Sequence, residues 1–386
     1  MKVNISTVGR FHAFNLASEL ENRGYLNKLI TTYPKFKVSE WSIPNNKIVS
    51  KILYELFRRY GEKIKILDQY FLDNIAHKGI ALTAAKFIDQ ADISIGWSGN
   101  SLEAIYESNK QGKIFILERG SSHYSYQMEI LKEEAKRQNL KDFQPNIKHW
   151  ERELLEYKYT DYISVPSQFV YDTFIDFGIS ENKLLKNPYG VNLEEFYPVE
   201  KEDNTFRVIH CGGISYRKGI PYLLKAFSEL NLEKSELWIV GSVDTEIKDY
   251  IEQYKDQNII FHGAKKQSEL YWYLSQCDVF CLASIEEGLA MVQAQAMACG
   301  LPIITTKNTG GGELVENNKN GFVIPIRDIE AIKEKILYLY KNKESSNRMG
   351  QKAIETVHNG FSWSDYGDRY VENLKEIYSK HFKKKH

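Results

Sequence analysis

The strongest constraint on the fold is an alternation of short strand-like runs with segments of helical spacing. Val3 to Val8 is rich in β-branched residues and ends at Gly9. Phe11 to Asn22 places Phe14, Leu16 and Leu20 at helical intervals, Gly24 closes that helix, and Leu26 to Thr31 is the next apolar run. This is a β-α-β unit, and parallel strands need a crossover of that kind. The pattern returns at Ala91 to Trp97, Lys113 to Leu117 and Tyr162 to Val165, the last followed by a helix near Gln168 to Phe177.

The alternation then breaks. Pro188-Tyr189-Gly190 opens an irregular stretch that continues through Pro198 and the charged run Glu200-Lys201-Glu202-Asp203. Such composition marks an interdomain linker. Beyond it the pattern restarts: Phe206 to Cys211, Ser235 to Val240, Asn258 to Phe261, Asp278 to Leu282 and Pro302 to Thr306 read as strands. Helices are expected over Tyr222 to Leu230 and about Leu289 to Ala298. The prediction is two α/β halves, residues 1–190 and 205–364, joined by a linker over 191–204. Each would be a Rossmann-like, doubly wound parallel sheet. Open sheets of this kind bind ligands at the carboxyl ends of their strands, so two facing domains make a cleft.

Composition removes several alternatives. Lys+Arg and Asp+Glu both number 51, which leaves no bulk basic field for nucleic acid. The four cysteines, Cys211, Cys277, Cys281 and Cys299, form no CxxC pair, so a zinc site or disulfide scaffold is not expected. The opening residues contain no apolar run of signal-peptide length, and no stretch approaches ~18 apolar residues. The expectation is a cytoplasmic protein, or one peripheral to the cytoplasmic membrane face.

Chemistry concentrates in the second half. Ser284 to Pro302 runs from a buried strand through Glu286-Glu287-Gly288 into a helix rich in Ala and Met, which Gly300 stops. A helix start offers unpaired N–H groups and partial positive charge to an anion. Glu287 and Gln295 lie eight residues apart, about 12 Å along one side of a helix, a span that suits a ligand held at both ends. The same segment also reads as a buried helix whose Ala and Met only pack. Cys211-Gly212-Gly213-Ile214-Ser215-Tyr216-Arg217-Lys218-Gly219 joins a strand to a helix, and its glycines and cations fit a phosphate; a solvated basic turn is the plainer reading. Gly310-Gly311-Gly312-Glu313 is either a loop tight against a ligand or a simple turn.

Taken in order, these motifs resemble the nucleotide-sugar domain of retaining glycosyltransferases of family 4, which have the GT-B fold. The resemblance runs over about residues 155–365. It takes in Asn187-Pro188-Tyr189-Gly190, the Arg217-Lys218-Gly219 turn, Val240-Gly241, Phe261-His262-Gly263, the Glu-Gly segment, the triple glycine and Asn320-Gly321. The last segment, 365–386, is similar to the family's crossover helix, which returns to the first domain. The first half matches only in its alternation, as an acceptor-side domain would.

The resemblance implies roles. Arg217 and Lys218 would neutralise the donor diphosphate, and Glu287 would contact the transferred sugar. Gly213, Gly241, Gly288, Leu289, Ala290 and Met291 would bring backbone to the donor, and Ala264 would meet the base. Gln295 stands where the family usually has a glutamate for the ribose hydroxyls; an amide offers one acceptor where a carboxylate offers two. His123, after the Glu118-Arg119-Gly120 turn, would reach the donor sugar with Arg119 as an anion contact; a lone histidine in a polar loop is the plainer reading. Gly9-Arg10-Phe11-His12 closes the first strand and would face the same cleft, with Gly9 and Arg10 toward the acceptor or the phosphates.

No DxD triplet occurs, so neither a metal nor a cofactor is expected. The implied partners are a nucleotide-diphosphate sugar and a glycan or lipid-linked acceptor, with transfer of a hexose-type sugar and retention at the anomeric carbon. Within Lys47 to Phe71, Ile48, Ile52, Leu53 and Leu56 share a helical side flanked by Lys47, Lys51, Arg58 and Arg59. That segment fits either an anionic bilayer or an ordinary helix packed on the sheet. The basic tail Lys383-Lys384-Lys385-His386 reads as disordered. Two other functions remain open on this sequence, a non-catalytic nucleotide-sugar-binding homologue and a nucleotide-sugar epimerase.

Overall fold

The computed structural model describes residues 1–60, 69–140, 147–255 and 258–382. The first sheet contains β1 (Val3–Thr7), β2 (Leu26–Thr31), β3 (Ile48–Ser50), β4 (Ile93–Trp97), β5 (Ile114–Glu118), β6 (Tyr162–Val165) and β7 (Leu184–Lys186). The second contains β8 (Phe206–Cys211), β9 (Ser235–Val240), β10 (Ile259–Gly263), β11 (Val279–Leu282), β12 (Ile303–Thr306) and β13 (Gly321–Ile324). Their orders are β3-β2-β1-β4-β5-β6-β7 and β10-β9-β8-β11-β12-β13. Every named pairing is parallel. β3, β7 and β13 were not expected from the sequence; each is a strand of three or four residues at a sheet edge, too short for periodicity to reveal.

Burial explains the sequence pattern. The inner strands are apolar almost throughout because helices cover both faces of each sheet. Val3, Ile5, Ile93, Ile95 and Ile116 are fully buried in the first domain, as are Val208, Ile209, Ile239, Phe280 and Ile303 in the second. The strand order reverses beside β1 in one sheet and beside β8 in the other. The loops that leave these two strands therefore open into the space between the domains.

Two chain crossings join the domains. Val191 donates its N–H to the Phe361 carbonyl at 2.7 Å and bridges to Ser362, so the outgoing and returning segments run side by side. Arg369 ties both, donating to the carbonyls of Gly360 (2.6 Å) and Pro188 (2.9 Å). The returning helix, Trp363–Phe382, packs on the first domain against helix Ala13–Asn22, where Arg23 pairs with Asp368 at 2.8 Å.

Part of the expectation for residues 47–71 is corrected. Ile48 lies in β3 and is buried, so it shares no helical face with Leu53. The helix is Ile52–Tyr60, and its side chains lie opposite to the usual sense. Ile52, Leu53, Leu56, Phe57 and Tyr60 are exposed, while Glu55 is buried. Residues 61–68 of that segment and the tail Lys383–His386 lie outside the described residues. Among the described residues, no helix is long and apolar enough to cross a membrane.

Candidate active site

A cleft of about 690 Å³ lies between the domains. Its second-domain wall is built by three strand-to-helix loops. After β8, Gly212 and Gly213 bring bare backbone to the cleft, and Lys218 follows. After β9, Gly241 packs so closely on Gly212 that a Cβ there would collide with the Gly212 carbonyl. After β11 comes Glu287, then Leu289, Ala290 and Met291 at the start of helix Met291–Ala298, with Gln295 about one turn into it. Ala264, just beyond β10, lines the far end. The wall thus combines a lysine, a helix start and glycine backbone, the chemistry that holds a diphosphate.

The cations here have partners. Lys218 Nζ forms an ion pair with the Glu287 carboxylate, and Arg217 reaches the same oxygen at 2.7 Å. Arg217 also donates to the Glu286 carbonyl at 2.8 Å and does not line the cleft. It therefore braces the Glu286-Glu287 turn, whereas Lys218 and Glu287 face the opening. Beneath the glycine turn, His210 is fully buried with Nε2 unpartnered, and burial together with the Lys218 charge pushes its pKa down to about 4.

Three of the features picked out in the sequence stand elsewhere. His123 does not line the cleft. Its ring stacks on Phe177 at 4.7 Å among Tyr157 and Phe174, and its Nδ1 caps helix Tyr124–Arg137 by accepting from Ser125 N–H at 3.2 Å. Burial and the Arg119 charge push its pKa down to about 4. Gly288 lies at the seam between domains, where a Cβ would collide with the Gly120 carbonyl and where its own carbonyl accepts from Ser167 Oγ at 2.7 Å. Gly310 to Glu313 pack behind that loop rather than in the cleft, with Glu313 accepting from Gln168 N–H at 2.6 Å.

On the first-domain side, the loop after β1 contributes Phe11 and His12 to the cleft rather than Gly9 and Arg10. Arg10 is exposed, with its guanidinium 5.4 Å from the Trp41 ring centroid. Arg119 does reach the cleft, but its guanidinium is occupied by Glu153 (2.8 Å), the Ser122 carbonyl (3.1 Å) and Gln127 (3.0 Å). Burial works against the charge of both Arg119 and Glu153. Their attraction outweighs it, holding Arg119 above its ordinary pKa and Glu153 down at about 2.

Two further residues, one from each domain, were not singled out from the sequence. Glu118 closes β5, lines the cleft and is 2% exposed. Glu286, next to Glu287, is fully buried and joins the domains, accepting from Ser122 N–H (3.0 Å), Ser122 Oγ (2.7 Å) and Gln127 Nε2 (2.9 Å). Among the described residues, no group of three or more His, Cys, Asp or Glu side chains is placed to hold a metal ion.

Residues 193–356 match the family model for glycosyl transferases group 1. Spore coat protein SA of Bacillus subtilis is 31% identical over 188 residues, 45% of this chain and 48% of that protein. The capsular polysaccharide biosynthesis glycosyltransferase CapM of Staphylococcus aureus is 30% identical over 195 residues, 48% of this chain and 50% of its own length. The chain spans about half the length of the curated relatives it matches.

Whole-chain similarity appears in solved structures. Sucrose-phosphate synthase from Thermosynechococcus elongatus superposes with TM-score 0.72 at 17% identity, covering 98% of this chain and 100% of that one. Anabaena HepE in complex with UDP gives 0.71 at 15%, covering 97% and 100%. The fold is GT-B, two parallel-sheet α/β domains facing across a cleft.

Proposed function

We propose that the protein is a glycosyltransferase that moves a hexose-type sugar from a nucleotide-diphosphate sugar to a glycan or lipid-linked acceptor. One observation carries the reading. Lys218, the glycine backbone of two loops and the start of helix Met291–Ala298 converge on one wall of an interdomain cleft. Displacing a nucleoside diphosphate builds negative charge on the leaving phosphate, and preorganised N–H groups with a lysine stabilise such charge. The family model over residues 193–356 and the UDP complexes of Anabaena HepE support a nucleotide at this wall. Retention at the anomeric carbon follows from the resemblance and independence of metal from the missing DxD triplet, and both belong to the proposal. So does a peripheral place on the cytoplasmic face of a membrane, supported by the outward apolar face of helix Ile52–Tyr60.

The test is a thermal-shift screen of UDP-, GDP-, ADP- and dTDP-sugars beside Lys218→Ala. One stabilising donor whose effect is lost in the variant is the expected result. A donor that binds but is transferred to no acceptor supports the second reading, a nucleotide-sugar-binding homologue. Gln295 favours that reading, because it brings an amide to the cleft where a carboxylate is usual. No stabilisation by any donor overturns both.

A further inference from the structure

Behind the glycine turn stands a polar group that the cleft wall does not use. His210 is the penultimate residue of β8, and its ring is wholly buried. Its Nδ1 lies 3.3 Å from the Cys281 carbonyl, while Nε2 has no hydrogen-bond partner. A carbonyl oxygen only accepts, so the proton of the neutral ring sits on Nδ1 and the bare lone pair on Nε2. Nε2 is the side-chain atom nearest the turn. A Cβ added to Gly212 would meet it at 3.5 Å, and would meet Cε of Lys218 at 3.9 Å. Gly212, Gly213 and Lys218 all line the cleft. A single layer of glycine backbone therefore separates this imidazole from the wall that a donor diphosphate would occupy.

The charges around the ring keep it neutral while the cleft is empty. Burial and the Lys218 charge work against protonation, while the backbone of Cys281 and Gly213 favours it. Lys218 is itself paired with Glu287, and Arg217 is turned to the Glu286 carbonyl and the Glu287 carboxylate. The thiols of Cys211 and Cys281 add no charge, because burial pushes both upward. On β9 the residues paired with His210 and Cys211 are Ile239 and Val240, both apolar. The cations of the turn are thus already matched by a carboxylate, and a diphosphate brings further negative charge to them.

We infer that His210 takes up a proton from solvent when the diphosphate of a sugar nucleotide binds, and holds the resulting imidazolium behind the phosphates; this rests on the glycosyltransferase reading. The proton goes to Nε2, which then carries an N–H toward the glycine turn, and no covalent bond of the donor changes. A negative charge about 6 Å away, at an effective dielectric near 20, raises the proton affinity of a group about a hundredfold, so the ring titrates near about pH 6 in the complex. Charge grows on the same phosphates as the sugar leaves, and the imidazolium stabilises it. His210 is a positioning residue, acting through the turn without touching sugar or phosphate.

The test counts protons. UDP-, GDP-, ADP- and dTDP-sugars are titrated into the protein by calorimetry at pH 5.5 and 7.5, each in two buffers of different ionisation enthalpy. The phosphates of these diesters keep their charge across that range, so any uptake belongs to the protein. The same titrations use His210→Asn, which keeps a donor for the Cys281 carbonyl, and His210→Phe, which keeps the ring volume; circular dichroism confirms their fold. For the donor that binds wild type, the expected uptake is about half a proton or more at pH 5.5 and almost none at pH 7.5, with affinity about fourfold tighter at the lower pH. Both variants should lose the uptake and the pH dependence. Imidazole 15N spectra of histidine-labelled wild type read the same event without substitution: one Nδ1-protonated ring should become doubly protonated when donor is added at pH 5.5. Uptake below about 0.1 proton by wild type at pH 5.5, or equal uptake by a folded variant, which would assign the proton to another group such as His12, overturns the role of His210 and leaves the transferase reading standing. If no sugar nucleotide binds wild type, the transferase reading and this inference fall together.

Discussion

Glu286, in the second domain, holds Ser122, in the first, through both the backbone N–H and the hydroxyl, at 3.0 and 2.7 Å. Gln127 supplies a third donor at 2.9 Å. The carboxylate is completely buried, so removing it strands these donors at the seam, at roughly 1–3 kcal/mol for each left unsatisfied. Glu286→Ala is expected to lower the thermal midpoint and to enlarge the radius of gyration in solution scattering as the domains part. Glu286→Gln, which keeps one acceptor oxygen, should show a smaller change of the same kind. Unchanged scattering in Glu286→Ala would mean that the seam is held elsewhere, for example by Arg327 on Glu134 at 2.7 Å.

Lys218 and Glu287 form an ion pair on the cleft wall, and they should respond oppositely to a bare nucleotide. Lys218→Ala removes a charge-assisted contact of about 1.5–3 kcal/mol, so UDP affinity should fall roughly 10- to 100-fold. Glu287→Gln removes a carboxylate that competes with phosphate for Lys218 and Arg217. UDP should then bind as well or severalfold tighter, while sugar transfer is lost. Calorimetry with UDP alone separates the two effects. Weaker UDP binding by Glu287→Gln would show that the carboxylate positions the lysine rather than competing for it.

These two pairs mark what the sequence makes legible. The Lys218 turn, Gly241, Ala264 and the segment from Leu289 to Gln295 all reach one cleft as expected, because each sits just past the end of a strand. In a parallel sheet, those ends lie on one edge. The turn ending at His12 was expected at the cleft, but nothing in the sequence pairs it with Glu118. They meet only because β4 lies between β1 and β5, and strand order is not written in local periodicity. His123 misled for a related reason. Its polar sequence neighbours suggest a loop facing solvent, but Tyr157, Phe174 and Phe177 come from later segments to enclose it. In helix Ile52–Tyr60 the apolar stripe was legible while its direction was not, since that is decided by Glu55 turning inward to Arg58, Arg59 and Thr32.

The enclosure of His123 predicts a pH dependence. Its folded pKa of about 4 lies below the ordinary histidine value of 6.5, so the unfolded chain binds the proton more readily. The stabilisation is fully present above pH 6.5 and is lost as pH falls toward 4, a change of order 1–3 kcal/mol. His123→Phe keeps the aromatic packing but removes the cap on Ser125, costing about 1 kcal/mol at pH 7.5. Urea melts at several pH values should show this deficit shrink and then reverse by pH 4.5. Parallel stability curves for the two proteins would exclude His123 from the acid response.

The inverted helix makes the last prediction. Leu53 and Phe57 are 64% and 54% exposed, while Glu55 is locked inward by Arg58 at 2.8 Å and Arg59 at 2.5 Å. Rotating the helix to bury its apolar stripe would expel those ion-paired groups, so the stripe stays outside. Phe36, 67% exposed between the exposed Lys35 and Lys37, extends the same chemistry. Apolar side chains with cations beside them suit an anionic lipid surface, where insertion and charge attraction add. Wild-type protein should co-sediment with vesicles containing phosphatidylglycerol, less so at high salt, and weakly with phosphatidylcholine alone. Leu53→Glu with Phe57→Glu removes two insertions of about 1.5–3 kcal/mol each, so partitioning should drop at least tenfold with UDP binding unchanged. Equal sedimentation of the variant, or no preference for the anionic vesicles, would assign this face to something other than a membrane.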